Sequence, residues 1–338
     1  MRIFVYEHLS ASRAAGPAAA SLLTEGWAML AALLEDFVRV PGAQVETMLG
    51  GAAAGKTPPP GVAVHHADAE DEDATFRRLA AGADWTLIAA PEIDGVLPER
   101  IQLVEESHGR LLGPTAAAAR LAGDKLRLAE RLRDCAVPTP PTALWPVEAP
   151  SYPAVCKPRH GAGSQETHLV RDSDELRAVA ETVGGFGDDL IVQPYIAGQA
   201  ASVALLIGPG RRLALPAAAQ HLSTDGRFRY LGGRLPLLPD LAERATRLGA
   251  RAVDAVEGLR GYIGVDMVLG AAADGDGDCV IEINPRLTAS YVGLRALARF
   301  NLAEAMLAVA AGQAPTAWNW DVGLVEFMPN GRVIRESS

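Results

Sequence analysis

Residues 279–286 read CVIEINPR, an apolar run that turns into Glu282, Asn284 and Arg286. Successive side chains on a strand alternate faces, so Glu282 and Asn284 project to one side and Arg286 can follow on that side. A carboxylate and a carboxamide oxygen two residues apart make a hard oxygen surface suited to Mg²⁺. A guanidinium beside them suits a phosphate or a developing oxyanion. An isolated E-x-N-x-R is equally compatible with a buried strand whose polar residues cap the next loop.

Four upstream features bear on that choice. Asp266 is a lone acid in an otherwise apolar strand pattern, GYIGVDMVL, where an unpaired carboxylate is costly. The turn-like stretch 270–278 would fold this strand back onto CVIEINPR and gather Asp266, Glu282 and Asn284. Within that turn DGDGD resembles the start of a calcium loop, but position six is Cys279 and position twelve Pro285, so the ligand set fails. Lys125 follows Asp124, a capping residue for the helix LRLAERLRDCA, and Lys157 ends the short strand AVCK. A lysine in a first helical turn is either solvated or drawn to an anion. Gly161, Gly163 and Ser164 form a loop able to wrap phosphates or to serve as a plain hairpin. LIVQPYI holds Gln193, Tyr195 and Ile196, with Pro194 marking a strand end or edge.

Residues 50–57, GGAAAGKT, match the phosphate-loop pattern in every letter. That pattern needs a helix to begin at its lysine, and Pro58, Pro59 and Pro60 follow instead. The stretch reads as an exposed linker.

The elements that must position these residues follow from patterning. Residues 2–6 (RIFVY), 44–48, 62–65 and 86–89 read as strands. Residues 21–36, 69–81 and 101–107 read as helices, and 7–17 as a loop. Strands alternating with helices imply a parallel sheet, whose ligands lie at the carboxyl ends of strands. That places the loop after the first strand, together with Glu25 and Gly26, near a substrate. Residues 111–115 (LLGPT) read as the end of the first region; a second follows with a helix over 116–135 broken at 123–125, a proline-rich connector over 137–153, and a helix over 172–183. The third has strands at 201–207, 212–218, 228–233, 261–269 and 279–284, helices at 240–257 and 302–311, and a strand at 323–327. Ser337 and Ser338 are expected to fray.

The chain has 338 residues, 49% of them hydrophobic, which suffices for two or three cores and excludes a disordered chain. Its net charge of −10 argues against a nucleic-acid binder. Cys135, Cys156 and Cys279 include no C-x-x-C, so neither a zinc site nor a disulfide framework is expected, and a reducing cytoplasm fits. MRIFVYEHL reads as a strand, not a signal peptide, and no apolar run reaches the ~18 residues of a membrane span.

The order of these motifs resembles the ATP-grasp ligase superfamily over roughly residues 114–294. The resemblance implies an α/β and α+β chain: an N-terminal Rossmann-like pre-ATP-grasp domain (1–113), a lid subdomain (114–196) and a C-terminal subdomain with the metal site (197–338). It implies ATP with one or two Mg²⁺ ions, Mn²⁺ being able to substitute. Lys125 and Lys157 would contact phosphates; Gly161, Gly163 and Ser164 would form the phosphate lid. Gln193, Tyr195 and Ile196 would bind adenine through main chain. Asp266, Glu282 and Asn284 would hold the metal, with Arg286 and Lys157 as catalytic groups. The family often has an acid where Gln193 stands and another where Gln199 and Ala200 stand, which leaves the ribose grip undefined.

The segments SLLTEGWAML, FRYLGGRLP and EINPRLTASYVGL resemble the tyramine–L-glutamate ligase group of methanofuran biosynthesis. That implies an ADP-forming amide synthesis from a small carboxylate and an amine, in one-carbon cofactor biosynthesis. Arg229, Tyr230, Thr288, Ser290 and Tyr291 are the expected substrate wall by analogy. His221 is either in a pocket or a hydrogen-bonded structural histidine. The alternatives are an ATP-binding sensor or scaffold without catalysis, and an ATP-grasp ligase with another amino acid or a peptide. The sequence leaves the oligomeric state open, with a homodimer the assembly considered.

Overall fold

The computed structural model describes residues 1–13, 20–66, 72–146, 151–183 and 189–336. The chain forms three sheets. The first is parallel, in the order β3-β2-β1-β4, from β1 (Arg2–Glu7), β2 (Gln44–Leu49), β3 (Val62–His66) and β4 (Trp85–Ala89). β1 is buried on both faces, as a central parallel strand is. Ile3 and Val5 pack with helix α2 (Ala20–Phe37). Phe4 and Tyr6 pack with α3 (Glu72–Gly82) and α4 (Val96–Glu106). α2 buries Met29, Leu30, Leu33, Leu34 and Phe37, a helical stripe.

Several boundaries differ from the sequence reading. Glu7 does not begin a loop: its carboxylate caps the short helix α1 (His8–Ala11). Residues 14–17 of that expected loop lie outside the described residues, as do 69–71 of an expected helix, part of the proline-rich connector (147–150), Ser337 and Ser338. The helix expected from residue 101 already begins at Val96, after Gly95 adopts φ +73°. The phosphate-loop look-alike forms a 3₁₀ turn at Gly51–Ala53, and no helix follows Lys56, whose ammonium lies 5.9 Å from the Trp27 ring centroid.

Helices α5 (Ala116–Gly123) and α6 (Lys125–Asp134) lead into the second sheet. Asp124 caps α6 by accepting from the Arg127 amide at 3.1 Å, as its position predicted. That sheet is antiparallel, in the order β5-β8-β6-β7, from β5 (Ala143–Leu144), β6 (Ala154–Pro158), β7 (His168–Val170) and β8 (Leu190–Pro194). α7 (Ser173–Val183) covers it, and the pair encloses a small core of its own around Cys156, Leu176 and Val192.

The third sheet is antiparallel, in the order β14-β13-β9-β11-β12-β15-β16, with β10 beside β9. Its strands are β9 (Gln199–Gly208), β10 (Arg211–Ala214), β11 (Ala218–Leu222), β12 (Tyr230–Leu235), β13 (Gly261–Leu269), β14 (Cys279–Asn284), β15 (Leu324–Phe327) and β16 (Val333–Glu336). One expected strand over 212–218 is two: Pro216 lacks an amide hydrogen, and β10 ends before it. The strand expected from Phe228 starts at Tyr230, since Phe228 has φ +52°. α8 (Pro239–Asp254) packs on β9, β13 and β14; α9 (Ser290–Leu297) and α10 (Leu302–Ala310) pack between this sheet and α2. The three cysteines are free.

Candidate active site

A cleft of about 610 Å³ opens between the second and third sheets, with Glu25 of α2 at its N-terminal end. Its floor is the β13–β14 hairpin, which pairs Asp266 with Glu282 and Gly264 with Asn284. The ladder slips by one residue between Met267–Val280 and Asp266–Glu282, so Ile281 is left over as a bulge. Ile281, Glu282 and Asn284 all line the cleft, while Val280 and Ile283 point into the core. The expected convergence of Asp266, Glu282 and Asn284 is therefore present.

Asp266 receives hydrogen bonds from Gln220 Nε2 at 2.8 Å and Asn284 Nδ2 at 2.9 Å. Burial and the adjacent Glu282 carboxylate push its carboxyl up. Burial acts on Glu282 in the same sense, but Lys125 and Lys157 outweigh it and hold that carboxyl below its usual range. Among the described residues no three His, Cys, Asp or Glu side chains gather as a metal cluster. The donor set here is two carboxylates and one carboxamide, all oxygen donors, with one carboxyl destabilised by its neighbour. That chemistry fits a hard divalent cation.

The opposite wall carries the lysines. Lys125, in the first turn of α6, is not simply solvated: its ammonium donates to Gly161 O at 2.7 Å and ties the 161–164 loop to the helix start. Asp124 meanwhile receives Arg159 Nε at 2.8 Å and Nη2 at 2.7 Å, which locks α6 to the chain leaving β6. Lys157, the fourth residue of β6, is 7% exposed. Burial pushes its ammonium pKa down to about 8, with Lys125 adding to the shift and Glu282 and Asp266 opposing it. Gly161, Gly163 and Ser164 line the cleft, all with positive φ. Gly163 holds φ +66°, which favours glycine, and a Cβ there would come within 2.6 Å of Leu22 Cδ2 on α2, so the loop lies against the N-terminal helix.

Gln193, Tyr195 and Ile196 line the cleft beside them. The strand does not run through 196 as expected; β8 stops at Pro194, and the Tyr195 amide is taken by Pro153 O at 2.9 Å. Gln193, 4% exposed, gives its amide to Thr142 Oγ1 at 2.8 Å. The Tyr195 ring instead stacks with Phe228, centroids 6.1 Å apart.

At the N-terminal end, Arg286 is forked onto Glu92, with Nε–Oε1 2.9 Å and Nη2–Oε2 2.7 Å. Tyr230, Thr288 and Ser290 line this end, and both hydroxyls bond Tyr262 Oη. Two expected wall residues do not reach it. The Arg229 side chain is 65% exposed and paired with Asp225 at 2.7 Å; the left-handed turn at Phe228 sends it outward. Tyr291 is fully buried on the opposite side of α9, with its hydroxyl on Asp36 Oδ2 at 2.7 Å. His221 is exposed and does not line this cleft, and its ring makes no hydrogen bond among the described residues. Glu25 lines the cleft, as its place after β1 suggested.

Sequence reasoning missed Glu92 and Gln220. Glu92 sits just past the carboxyl end of β4, the rim where parallel sheets bind ligands, so its position was the available signal. Gln220 lies on a strand whose boundaries were misread, and no local pattern marks it.

Comparison with known proteins converges on one family. Residues 122–290, half of the chain, match the ATP-grasp domain model, and residues 45–119 match the pre-ATP-grasp domain model. The tyramine–L-glutamate ligase of Methanocaldococcus jannaschii is 27% identical over 212 residues, 63% of this chain and 58% of that protein. The enzyme of the same name from Methanocaldococcus fervens is 26% identical, covering 63% and 62%. A D-alanine–D-alanine ligase from Stutzerimonas stutzeri is 30% identical over 51% of this chain and 58% of that protein. The matched region thus spans less than two thirds of the length of these relatives. An ATP-grasp superfamily protein from Archaeoglobus fulgidus superposes with a TM-score of 0.73 at 23% identity, over 97% of this chain and 92% of that one. The biotin carboxylase domain of Hydrogenobacter thermophilus 2-oxoglutarate carboxylase, solved with MgADP, gives 0.74 at 18% identity, over 96% and 73%. These structures share the fold.

Proposed function

The chain belongs to the ATP-grasp family, and from that premise we propose that it is an ADP-forming carboxylate–amine ligase. The observation that carries this reading is one cleft holding Lys125 and Lys157 on one wall and Asp266, Glu282 and Asn284 on the other. A triphosphate laid between them meets cations on its non-bridging oxygens and oxygen ligands for its metal. In this reading the domains are 1–113, 114–196 as the lid, and 197–338 carrying the metal site.

In this proposal Lys125 and Lys157 hold the phosphates, and the amides of Gly161, Gly163 and Ser164 close over them. Gln193, Tyr195 and Ile196 border the adenine slot, where the Ile196 main chain takes the base because the Tyr195 amide is already bonded. Asp266, Glu282 and Asn284 would hold Mg²⁺ or Mn²⁺, which when bound neutralises phosphate charge. The substrate carboxylate attacks the γ-phosphorus; the bond to ADP breaks and an acyl phosphate forms. The amine then attacks the acyl carbon, forms the amide and releases phosphate. Arg286 stabilises the acyl phosphate oxygens and the tetrahedral oxyanion. Tyr230, Thr288 and Ser290 line the substrate end.

The substrates we favour are glutamate and tyramine or a similar amine, in methanofuran-like cofactor biosynthesis, because the relatives so named match at 26–27% identity. Incubation with ATP, Mg²⁺, glutamate and tyramine should release ADP and phosphate in step with amide. Release of AMP and pyrophosphate would refute the acyl-phosphate route. Glu282→Ala and Asn284→Ala should each abolish turnover while the thermal transition persists; full activity in both removes the metal assignment. Tight ATP binding without turnover across a broad panel of carboxylates and amines would favour a non-catalytic binder.

A further inference from the structure

The proposed chemistry leaves one charge in the cleft unassigned. Arg286 is the cation at the N-terminal end, and its guanidinium is already forked onto Glu92, which is 8% exposed. Glu25, on α2, lines the same end. Its carboxylate lies within electrostatic reach of Arg286 and Tyr230, yet it makes no hydrogen bond or ion pair among the described residues. Glu7 stands behind α2, and its oxygens accept the Leu9 and Ser10 amides at 3.1 and 2.7 Å. A Cβ on Gly26 would come within 2.6 Å of Glu7 Oε1, so α2 is seated directly against that carboxylate.

This end of the cleft therefore sets one guanidinium against the lining Glu25 and its own partner Glu92. The excess is negative, and a partly desolvated carboxylate without a partner is costly until a cation meets it. The missing piece is a cation small enough to enter beside Tyr230. Burial also raises the Glu25 carboxyl above its usual range, the direction that suits a proton acceptor near neutral pH.

Resting on the ligase reading, we propose that Glu25 binds the ammonium group of the acceptor amine and takes its proton for the attack. The acceptor class is then a primary amine that arrives protonated. R–NH₃⁺ passes one proton to the Glu25 carboxylate and becomes R–NH₂. The nitrogen lone pair forms the C–N bond at the acyl carbon. The C–O bond to phosphate breaks and its electron pair leaves with the phosphate. The second nitrogen proton ends on that phosphate, giving the amide and hydrogen phosphate, and Glu25 returns its proton to solvent. Arg286 faces the acyl phosphate from the same end, so the two groups act on the two partners of the attack.

The test separates the two half-reactions with glutamate as the carboxylate and either tyramine or hydroxylamine as the nucleophile. Hydroxylamine is unprotonated near neutral pH and traps an acyl phosphate as hydroxamate without needing a carboxylate. Glu25→Gln should still form hydroxamate from ATP and glutamate, while tyramine-dependent amide formation falls by about 100-fold or more, the usual size of an acid–base contribution. Glu25→Asp keeps the charge at shorter reach and should fall less; it also serves if Glu25→Gln loses its thermal transition. An amide rate unchanged in Glu25→Gln overturns the inference and spares the ligase reading. Loss of hydroxamate together with amide, with ATP still bound, also overturns it, because Glu25 then serves the carboxylate donor. A wild-type protein that forms neither product with tyramine or other primary amines ends the ligase reading and this inference with it.

Discussion

Arg286 has a neighbour that decides what it can do. Glu92 occupies two of its donors and Leu287 O accepts a third from Nη1 at 3.2 Å, which fixes the plane of the guanidinium beside the cleft. Breaking a buried pair by removing one partner costs about 3–5 kcal/mol, and cleft water should reduce that here to roughly 1–3 kcal/mol for Glu92→Gln. Turnover should fall by about 10–100-fold with ATP affinity unchanged, since geometry and not nucleotide contact is lost. Calorimetric ATP binding beside steady-state rates checks this, and equal losses in both would refute it. Lys157 supports a prediction with a definite sign. Burial holds its folded pKa at about 8, below the ~10.4 of an unfolded lysine. Between those values the folded protein carries fewer protons than the unfolded chain, so this group's contribution to stability rises with pH across that window. The Lys157 charge proposed to meet phosphate is lost over the same window. ATP binding without added divalent ion should therefore weaken as pH passes about 8, and Lys157→Arg should flatten the profile. At this scale the residues that sequence reading found are those with a reason to sit on a strand end or helix start. Arg229 and Tyr291 failed because an arginine or tyrosine serves surface or core equally well, and a single left-handed residue or helix face decides which.

Asp124 shows how elements, not residues, set the wall proposed to hold phosphates. One carboxylate caps α6 and holds Arg159, so the helix bearing Lys125 and the strand bearing Lys157 are fixed to each other. Burial would raise this carboxyl, but the Arg159 hydrogen bonds outweigh it and hold it below its usual range. Its stabilisation is therefore complete above the unfolded value of ~3.9 and is lost as pH falls through the folded one. Asp124→Asn should cost about 1–2 kcal/mol at pH 7, the size of a lost cap and a charged hydrogen bond. The difference from wild type should shrink in denaturation series below pH ~4. ATP affinity should fall as well, because both lysines lose their common anchor; an unchanged affinity would show them to be held independently. The cap was legible from Gly123-Asp124-Lys125 alone, since capping is a local rule. Its bond to Arg159 lies 35 residues away and leaves no periodic trace. The Asp266–Glu282 hairpin was legible for the same local reason, whereas its one-residue bulge at Ile281 was not, because a register slip depends on the partner strand.

The whole molecule divides its buried apolar contacts unevenly. One core runs without a break from β1 and α2 through α9 and α10 to β9, β13 and β15, so the N-terminal sheet and the large antiparallel sheet share apolar contacts. Asp36 on α2 pins that junction from within, receiving Tyr291 Oη at 2.7 Å and Arg295 at 3.0 and 2.8 Å. These partners are more than 250 residues apart, and nothing in either segment announces the other, which is why the alternation of strands and helices gave three regions but not their joining. The second sheet stands apart. It encloses only its own small core with α7, and near the cleft it is tied to the rest by side-chain bonds such as Lys125 to Gly161 and by the Leu169 amide on Gly226 O at 2.8 Å. Opening free energies follow buried contacts, so this sheet should open below the global free energy. In hydrogen exchange, amides of β6, β7 and β8 should exchange through that lower-energy opening, while β1, β9 and β13 exchange only with global unfolding. MgATP added to the protein should slow exchange in β6, β8 and the 161–167 loop, because nucleotide bound as proposed would bridge the second sheet to the β13–β14 floor, and should leave β1 unchanged except through overall stabilisation. Asp36→Ala should lower protection in β1 and β9 together without a larger effect on β6. Equal protection of all three sheets before nucleotide is added would show the lid to be part of one cooperative unit and would remove the basis for its closure over ATP.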